Sequence, residues 1–242
     1  MTAAIGAVRR GTAAVLALCS LAGSGAAAER PALPGIAGPD RRVVVNALEA
    51  PWNAIAKVQT NIGTRCTGVL IAPATVLTAA HCLYNRRTRA LLQPLSLHVL
   101  LGSQLGDFRW HREVVHYTIG ASFDGTLERV QSADWARLDL DGPIPPAVTP
   151  LPLARQLPEA GAPAALAGYN LDRALLLMAD RGCHVIAVSR PNRNFITHDC
   201  DATRGASGAP LLVAQDGGWA VAGINVAAGA AANIAVAAPF GE

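Results

Sequence analysis

Lysine is almost missing from this chain of 242 residues: one lysine stands against nineteen arginines, and no dense basic block gathers anywhere. Aromatic residues make up only 5%. Nucleic-acid recognition needs clustered cations, and single strands need a stacking platform. The sequence offers neither, so no nucleic-acid partner is expected. Charged residues of both signs are sparse, at 15%, against 51% hydrophobic residues and a formal net charge of +3. Such a chain is too apolar and too weakly charged to stay disordered, and it is long enough to bury one large core or two small ones. Long apolar runs are also missing. The strongest, Thr12–Ala22, is about half of the roughly 20 residues that a helix needs to cross a bilayer. Fixed-period repeats, strand–helix–strand alternation and Cys-x-x-Cys spacing are absent, which disfavours solenoids, parallel sheets and a zinc site.

The N-terminus has the parts of a secretory signal in residues 1–28. Arg9 and Arg10 precede a short apolar run, and Ala26, Ala27 and Ala28 supply a small-residue cleavage site. A membrane anchor is disfavoured by length. A lipoprotein reading of Cys19 is weakened by bulky Leu18 before it. Losing residues 1–28 takes the net charge from +3 to +1, because only those two arginines leave. Bulk charge therefore does not select the partner, and a secreted or periplasmic location is expected. Of the five cysteines, Cys19 leaves with the signal and Cys66, Cys82, Cys183 and Cys200 remain. An even number in an exported chain suggests two disulfides. Four cysteines allow three connectivities; proximity favours Cys66–Cys82 and Cys183–Cys200. Each would close a loop of about sixteen residues, a constraint of roughly 3 kcal/mol.

Residues 29–42, rich in Pro, Gly and charge, read as a leader or propeptide, with removal after Arg42 as one route to a mature N-terminus at Val43. Beyond them lie short apolar runs bounded by turn formers, at 43–45, 54–59, 67–71, 76–78, 97–101, 113–116, 135–140, 164–167, 184–188, 210–213, 219–226 and 233–237. That pattern belongs to sandwiches and barrels. Tyr84–Leu92 is expected to hold one or two helical turns. The Pro-rich stretch Gly142–Pro152 reads as the boundary between lobes 43–145 and 146–242, or as one long surface loop.

Three segments carry chemistry. Leu77-Thr-Ala-Ala-His81-Cys82 places an imidazole just after an apolar strand. Gly205-Ala-Ser207-Gly-Ala-Pro210 places a hydroxyl in a glycine turn, where amides can converge on an anion. Ser207 runs into a Pro and a strand, not a helix, so the α/β-hydrolase arrangement is disfavoured. Asp134 opens the alternating stretch to Leu140, with Asp139 and Asp141 as less favoured candidates. The order His, Asp, Ser is one of three that share a catalytic geometry.

With Cys66-Thr-Gly-Val-Leu-Ile and Val221-Ala-Gly-Ile224, these strings resemble the trypsin-like serine protease family, nearest its secreted bacterial branch that includes the glutamyl endopeptidases. The resemblance implies an all-β fold: two antiparallel β-barrels, chymotrypsin-like, with the active site in the cleft between them. It implies a serine endopeptidase with Ser207 as nucleophile, His81 as base, Asp134 as its partner and the amides of Gly205 and Ser207 as oxyanion donors. The expected partner is a polypeptide substrate, the expected form a monomer, with no cofactor and no metal. His98, His111, His116, His184 and His198 show no ligand spacing and read as structural or surface residues.

The chain departs from the family at several places. Ala206 stands where the archetype has the acid that receives a new N-terminus. Asp201 stands at the expected base of the primary pocket, as a selector of basic side chains or as a loop acceptor. Asn225 replaces the histidine expected of glutamyl endopeptidases, and Ala202 a threonine, so glutamate preference is poorly supported. Val226, Ala227 and Ala228 are expected to pair with extended substrate. An inactive binding module of the same fold is the alternative reading.

Overall fold

The structure, a computed structural model, describes residues 1–3, 33–126, 129–189 and 195–238. Apart from residues 1–3, the expected signal peptide 1–28 lies outside the described residues, as do residues 29–32 of the expected leader. The chain divides into the units Met1–Pro31 and Ala32–Glu242, and every described strand lies in the second.

Apolar alternation punctuated by turn formers gives strands. In chain order these are β1 (Val43–Val44), β2 (Ile55–Thr60), β3 (Arg65–Ala72), β4 (Thr75–Thr78), β5 (Tyr84–Asn85), β6 (Ala90–Leu91), β7 (Leu97–Leu101) and β8 (Trp110–Ile119). They continue with β9 (Ala136–Leu140), β10 (Pro163–Gly168), β11 (Met178–Val188), β12 (Phe195–His198), β13 (Pro210–Gln215), β14 (Gly218–Ala228) and β15 (Asn233–Ala237). Helix is confined to short 3-10 turns among the described residues.

The strands form two antiparallel barrels of six strands each, the chymotrypsin-like architecture expected from the sequence. The first closes in the order β2-β3-β4-β9-β8-β7. The second runs β11-β10-β13-β14-β15-β12 and closes where β12 returns to β11; β1 adds an edge to β11. Period-two alternation sorts the side chains. On β9, Ala136, Leu138 and Leu140 are buried while Arg137 faces solvent. Leu166, Ile196 and Leu211 sit in the second core. Leu212, Val221 and Ile224 of the second barrel pack instead into a cluster shared with Val58, Leu70 and Leu101 of the first, so the seam is itself apolar core.

Two local expectations change. Tyr84–Leu92 is not helical: β5 and β6 pair as a small hairpin. The Asn85 side chain accepts the amides of Arg87 and Thr88, and Arg89 takes φ 53°, so polar turn chemistry outweighs helix propensity there. The 3-10 turn comes earlier, at Ala80–Leu83. Strand β12 carries no marked apolar run in the sequence, yet Ile196 and His198 are fully buried.

Candidate active site

Strand β4 pairs with β9 in a register that sets Thr78 opposite Ala136. The chain therefore leaves β4 into the His81 turn at the same end of the barrel where Asp134 leads into β9. A disulfide between Cys66 and Cys82 pins the turn to β3. The second disulfide joins Cys183 to Cys200. Asp134 is 6% exposed. Its Oδ2 lies 2.7 Å from His81 Nδ1, and its Oδ1 accepts the His81 backbone N–H at 2.8 Å. Both carboxylate oxygens thus grip one residue and fix the ring's direction, with Nδ1 turned to the carboxylate and Nε2 to the other side.

The Ser207 loop belongs to the second barrel but is seated on the first. Thr67 N–H donates to the Ser207 carbonyl at 2.8 Å, and Cys82 Sγ lies 4.0 Å from that oxygen. Gly208 takes φ +80°, and a Cβ there would come within 2.2 Å of the Thr67 carbonyl and 2.3 Å of Thr78 Oγ1. Only glycine permits that approach. The hinge of this contact is Thr67, fully buried, which sequence reasoning did not single out. Its hydroxyl donates to the Gly205 carbonyl at 2.9 Å and accepts the Tyr169 N–H at 2.9 Å. The one sequence signal was a polar residue on the buried face of an apolar strand.

Within the loop, Ala206 N–H donates to Thr203 O and Gly208 N–H to Asn225 O. The amides of Gly205 and Ser207 have no acceptor among the described residues. Two unclaimed donors two residues apart, one of them on the half-buried serine itself, are of the kind that can bind an oxyanion. The Ser207 hydroxyl itself hydrogen-bonds to no described residue.

The other marked positions lie around this loop. Asp201 is 2% exposed; its Oδ2 accepts the Arg41 N–H at 2.7 Å, and its Oδ1 has no hydrogen-bond partner among the described residues, the Arg41 guanidinium lying 3.9 Å away. Burial raises its carboxyl above the usual range, with Arg41 opposing. Asn225 is buried beneath the loop, and its Nδ2 donates to Ala206 O at 3.3 Å. Strand β13 covers β14 only as far as Ile224. Val226 and Ala227 are half-buried and Ala228 is exposed on the continuation. His98 and His111 meet at 3.0 Å outside the first barrel, His116 pairs with Asp139, and His198 is buried. Cys66, His81 and Cys82 bring ligand atoms within 4.8 Å of one another, but the two sulfurs are already bonded as a disulfide and offer no thiolate.

The family model described as Trypsin matches residues 42–241. Mouse serine protease 56 is 28% identical over 185 residues, covering 69% of this chain and 30% of that protein. Human granzyme M is 36% identical over 123 residues, 48% of this chain and 44% of its own length. A glutamyl endopeptidase of Bacillus licheniformis is 44% identical over 50 residues, 21% of this chain and 16% of that one. The chain thus spans less than half the length of these curated relatives. A solved Glu endopeptidase superposes with a TM-score of 0.71 at 24% identity, covering 85% of this chain and 94% of its own, which bears on the fold.

Proposed function

This chain belongs to the trypsin-like serine protease family, and from that premise we propose that it is an exported serine endopeptidase whose working residues are Ser207, His81 and Asp134. A serine hydroxyl is a weak nucleophile at neutral pH and needs a base beside it. His81 Nε2 takes the Ser207 proton as the oxygen attacks the substrate carbonyl, forming a tetrahedral oxyanion. The amides of Gly205 and Ser207 bind that anion; each such donor is worth roughly 3 kcal/mol in the transition state. Asp134 keeps the ring oriented and stabilises the imidazolium. His81 then gives the proton to the leaving amine, an acyl-enzyme remains on Ser207, and water completes hydrolysis through the same base.

The observation that carries this reading is the double grip of Asp134 on His81, through Nδ1 and the backbone N–H at once. A structural ion pair needs only one of those bonds. The unclaimed amides either side of Ala206 support it from the other barrel. In unliganded sites the nucleophile–base hydrogen bond is commonly long and tightens with substrate. Export is supported by the two disulfides. Extended substrate would pair with the open edge of Val226–Ala228.

The test is labelling by a fluorophosphonate probe. Labelling of the wild type that disappears in Ser207→Ala, and falls by about 10⁴ in Asp134→Asn through the wrong ring tautomer, is the expected result. Equal labelling of wild type and Ser207→Ala would refute it, and no labelling of either would leave a binding module.

A further inference from the structure

The leader segment lies against two stretches that adjoin the proposed substrate-binding residues, the Asp201–Thr203 loop and the end of β14. Gly35 is buried with φ +91°. Its N–H donates to Gly229 O at 3.0 Å, one residue past Ala228. Its carbonyl accepts the Ala202 N–H at 2.9 Å and Asn233 Nδ2 at 3.0 Å. A Cβ at Gly35 would fall 1.8 Å from the Ala202 carbonyl and 3.0 Å from the Ala228 Cβ. The backbone of Gly35 therefore bridges the loop leading to Ser207 and the end of β14, with no room for a side chain. Leu33 and Ile36 close a turn around it, Ile36 N–H donating to Leu33 O at 3.0 Å.

Downstream, the segment is anchored to the same loop. Arg41 N–H takes Asp201 Oδ2, its guanidinium meets Asp180 at 2.9 Å, and Arg42 reaches Asp172 at 2.7 Å and Thr203 at 3.3 Å. Asp201, Ala202 and Thr203 are thus held in sequence by the leader. Between the plug and the anchors, residues 37–40 are exposed.

Resting on the serine-protease reading, we propose that Leu33–Ile36 is an internal ligand of the substrate groove, and that the groove receives a polypeptide only when this segment leaves. The occupant is a tight turn with Gly35 at its inner position, held by backbone hydrogen bonds to Gly229 on one side and Ala202 on the other. Cutting in 37–40 frees Gly35 and leaves Arg41 and Arg42 in place.

The test uses the full chain with a recognition sequence for a site-specific protease inserted between Ala37 and Gly38, where a Cβ on Gly38 would meet nothing within 4 Å. Peptide-library hydrolysis and Ser207 labelling by a small fluorophosphonate are measured before and after cutting. An occupant that fills its groove nine-tenths of the time hides about tenfold of activity. Cutting should therefore raise hydrolysis by at least about tenfold while labelling, which needs no groove, stays within about threefold. Gly35→Ala in the uncut chain should shift hydrolysis in the same direction. Unchanged hydrolysis after cutting, with labelling intact, overturns the proposal. A second arm does not depend on catalysis. A fluorescent peptide carrying the sequence of residues 33–38 is titrated against the cut Ser207→Ala chain. Saturable binding that weakens at least about tenfold when the peptide's central glycine becomes alanine supports the internal ligand. No saturable binding, or equal binding of the two peptides, overturns it, whatever the labelling shows.

Discussion

His198 is fully buried in the second barrel, and neither ring nitrogen has a hydrogen-bond partner among the described residues. Burial pushes its imidazole down to about 4 from an ordinary 6.5, with the Asn225 amide and the Asp199 and Asp180 carboxylates opposing only partly. The unfolded chain therefore binds a proton at pH values where the folded chain does not, and stability must fall as pH drops through the unfolded value. The penalty begins near pH 6.5 and is complete below about 4. Its full size is about 3 kcal/mol, of which about 2 kcal/mol accrues between pH 7 and 4.5. Replacing the ring by Leu removes the titration and two unsatisfied buried nitrogens together. Urea unfolding of wild type and His198→Leu, each at pH 7 and 4.5, isolates this group, since other titrations cancel in the double difference. Wild type should lose about 2 kcal/mol more than the variant over that range. Equal losses would refute the reading of His198 as a buried imidazole that stays neutral in the fold.

Thr67→Val keeps the shape of the side chain and deletes both seam hydrogen bonds, leaving the buried Gly205 carbonyl and Tyr169 N–H unpaired. A loss of about 2–4 kcal/mol in urea unfolding is expected, with Ser207 labelling slowed and Thr67→Ser restoring both. Gly208→Ala drives a Cβ into backbone at a positive φ. It should cost at least about 3 kcal/mol and abolish labelling, whereas an unchanged melting curve would show that the loop is not seated on Thr67. Removing the Cys66–Cys82 bridge by double Ser substitution opens a sequence separation of 16, and should cost about 3 kcal/mol by calorimetry while leaving the Cys183–Cys200 bond intact.

What was legible in the sequence and what was not divides by range. Strand β9 reads directly from Ala136 to Leu140 because burial alternates with the pleat. β12 does not, because Thr197 and His198 disguise a buried strand whose character comes from its neighbours β11 and β15. His81, Asp134 and Ser207 were visible because each sits in a local string. The long-range contacts around them were not: the bond from Thr67 that seats the Ser207 loop on the first barrel spans 138 positions, and the bond from Asn233 that holds the leader at Gly35 spans 198. Nothing in a stretch of Pro, Gly and charge distinguishes a loose leader from a segment wedged between two walls. The difference lies in the carbonyl of Gly35 and the Ala202 N–H and Asn233 Nδ2 groups that meet it.

Arg42 is subject to the same limit. In the sequence, Arg42 before Val43 reads as one route to removal of the leader, the other being a leader that is retained. In the fold, Arg42 is 5% exposed, with its guanidinium 2.9 Å from Asp40 and 2.7 Å from Asp172. Those contacts hold both carboxyls below the usual range, the Arg42 hydrogen bond being the largest cause in each. A protease that reads arginine must swallow its side chain, and withdrawing this one would strand two carboxylates. Breaking such a pair costs roughly 3–5 kcal/mol when it is buried, and somewhat less here because both aspartates are partly exposed. Residues 37–39 are exposed and carry no such penalty, whereas Asp40 shares the Arg42 contact. Brief digestion of the folded chain with an arginine-specific protease should therefore spare the Arg42–Val43 bond, while a protease of broad specificity should cut first within 37–40, as read by N-terminal sequencing. Arg42→Ala should then unlock the segment, raising the cutting rate at 37–41. Rapid release of a chain beginning at Val43 from the folded wild type would show that the guanidinium is not held as the geometry requires.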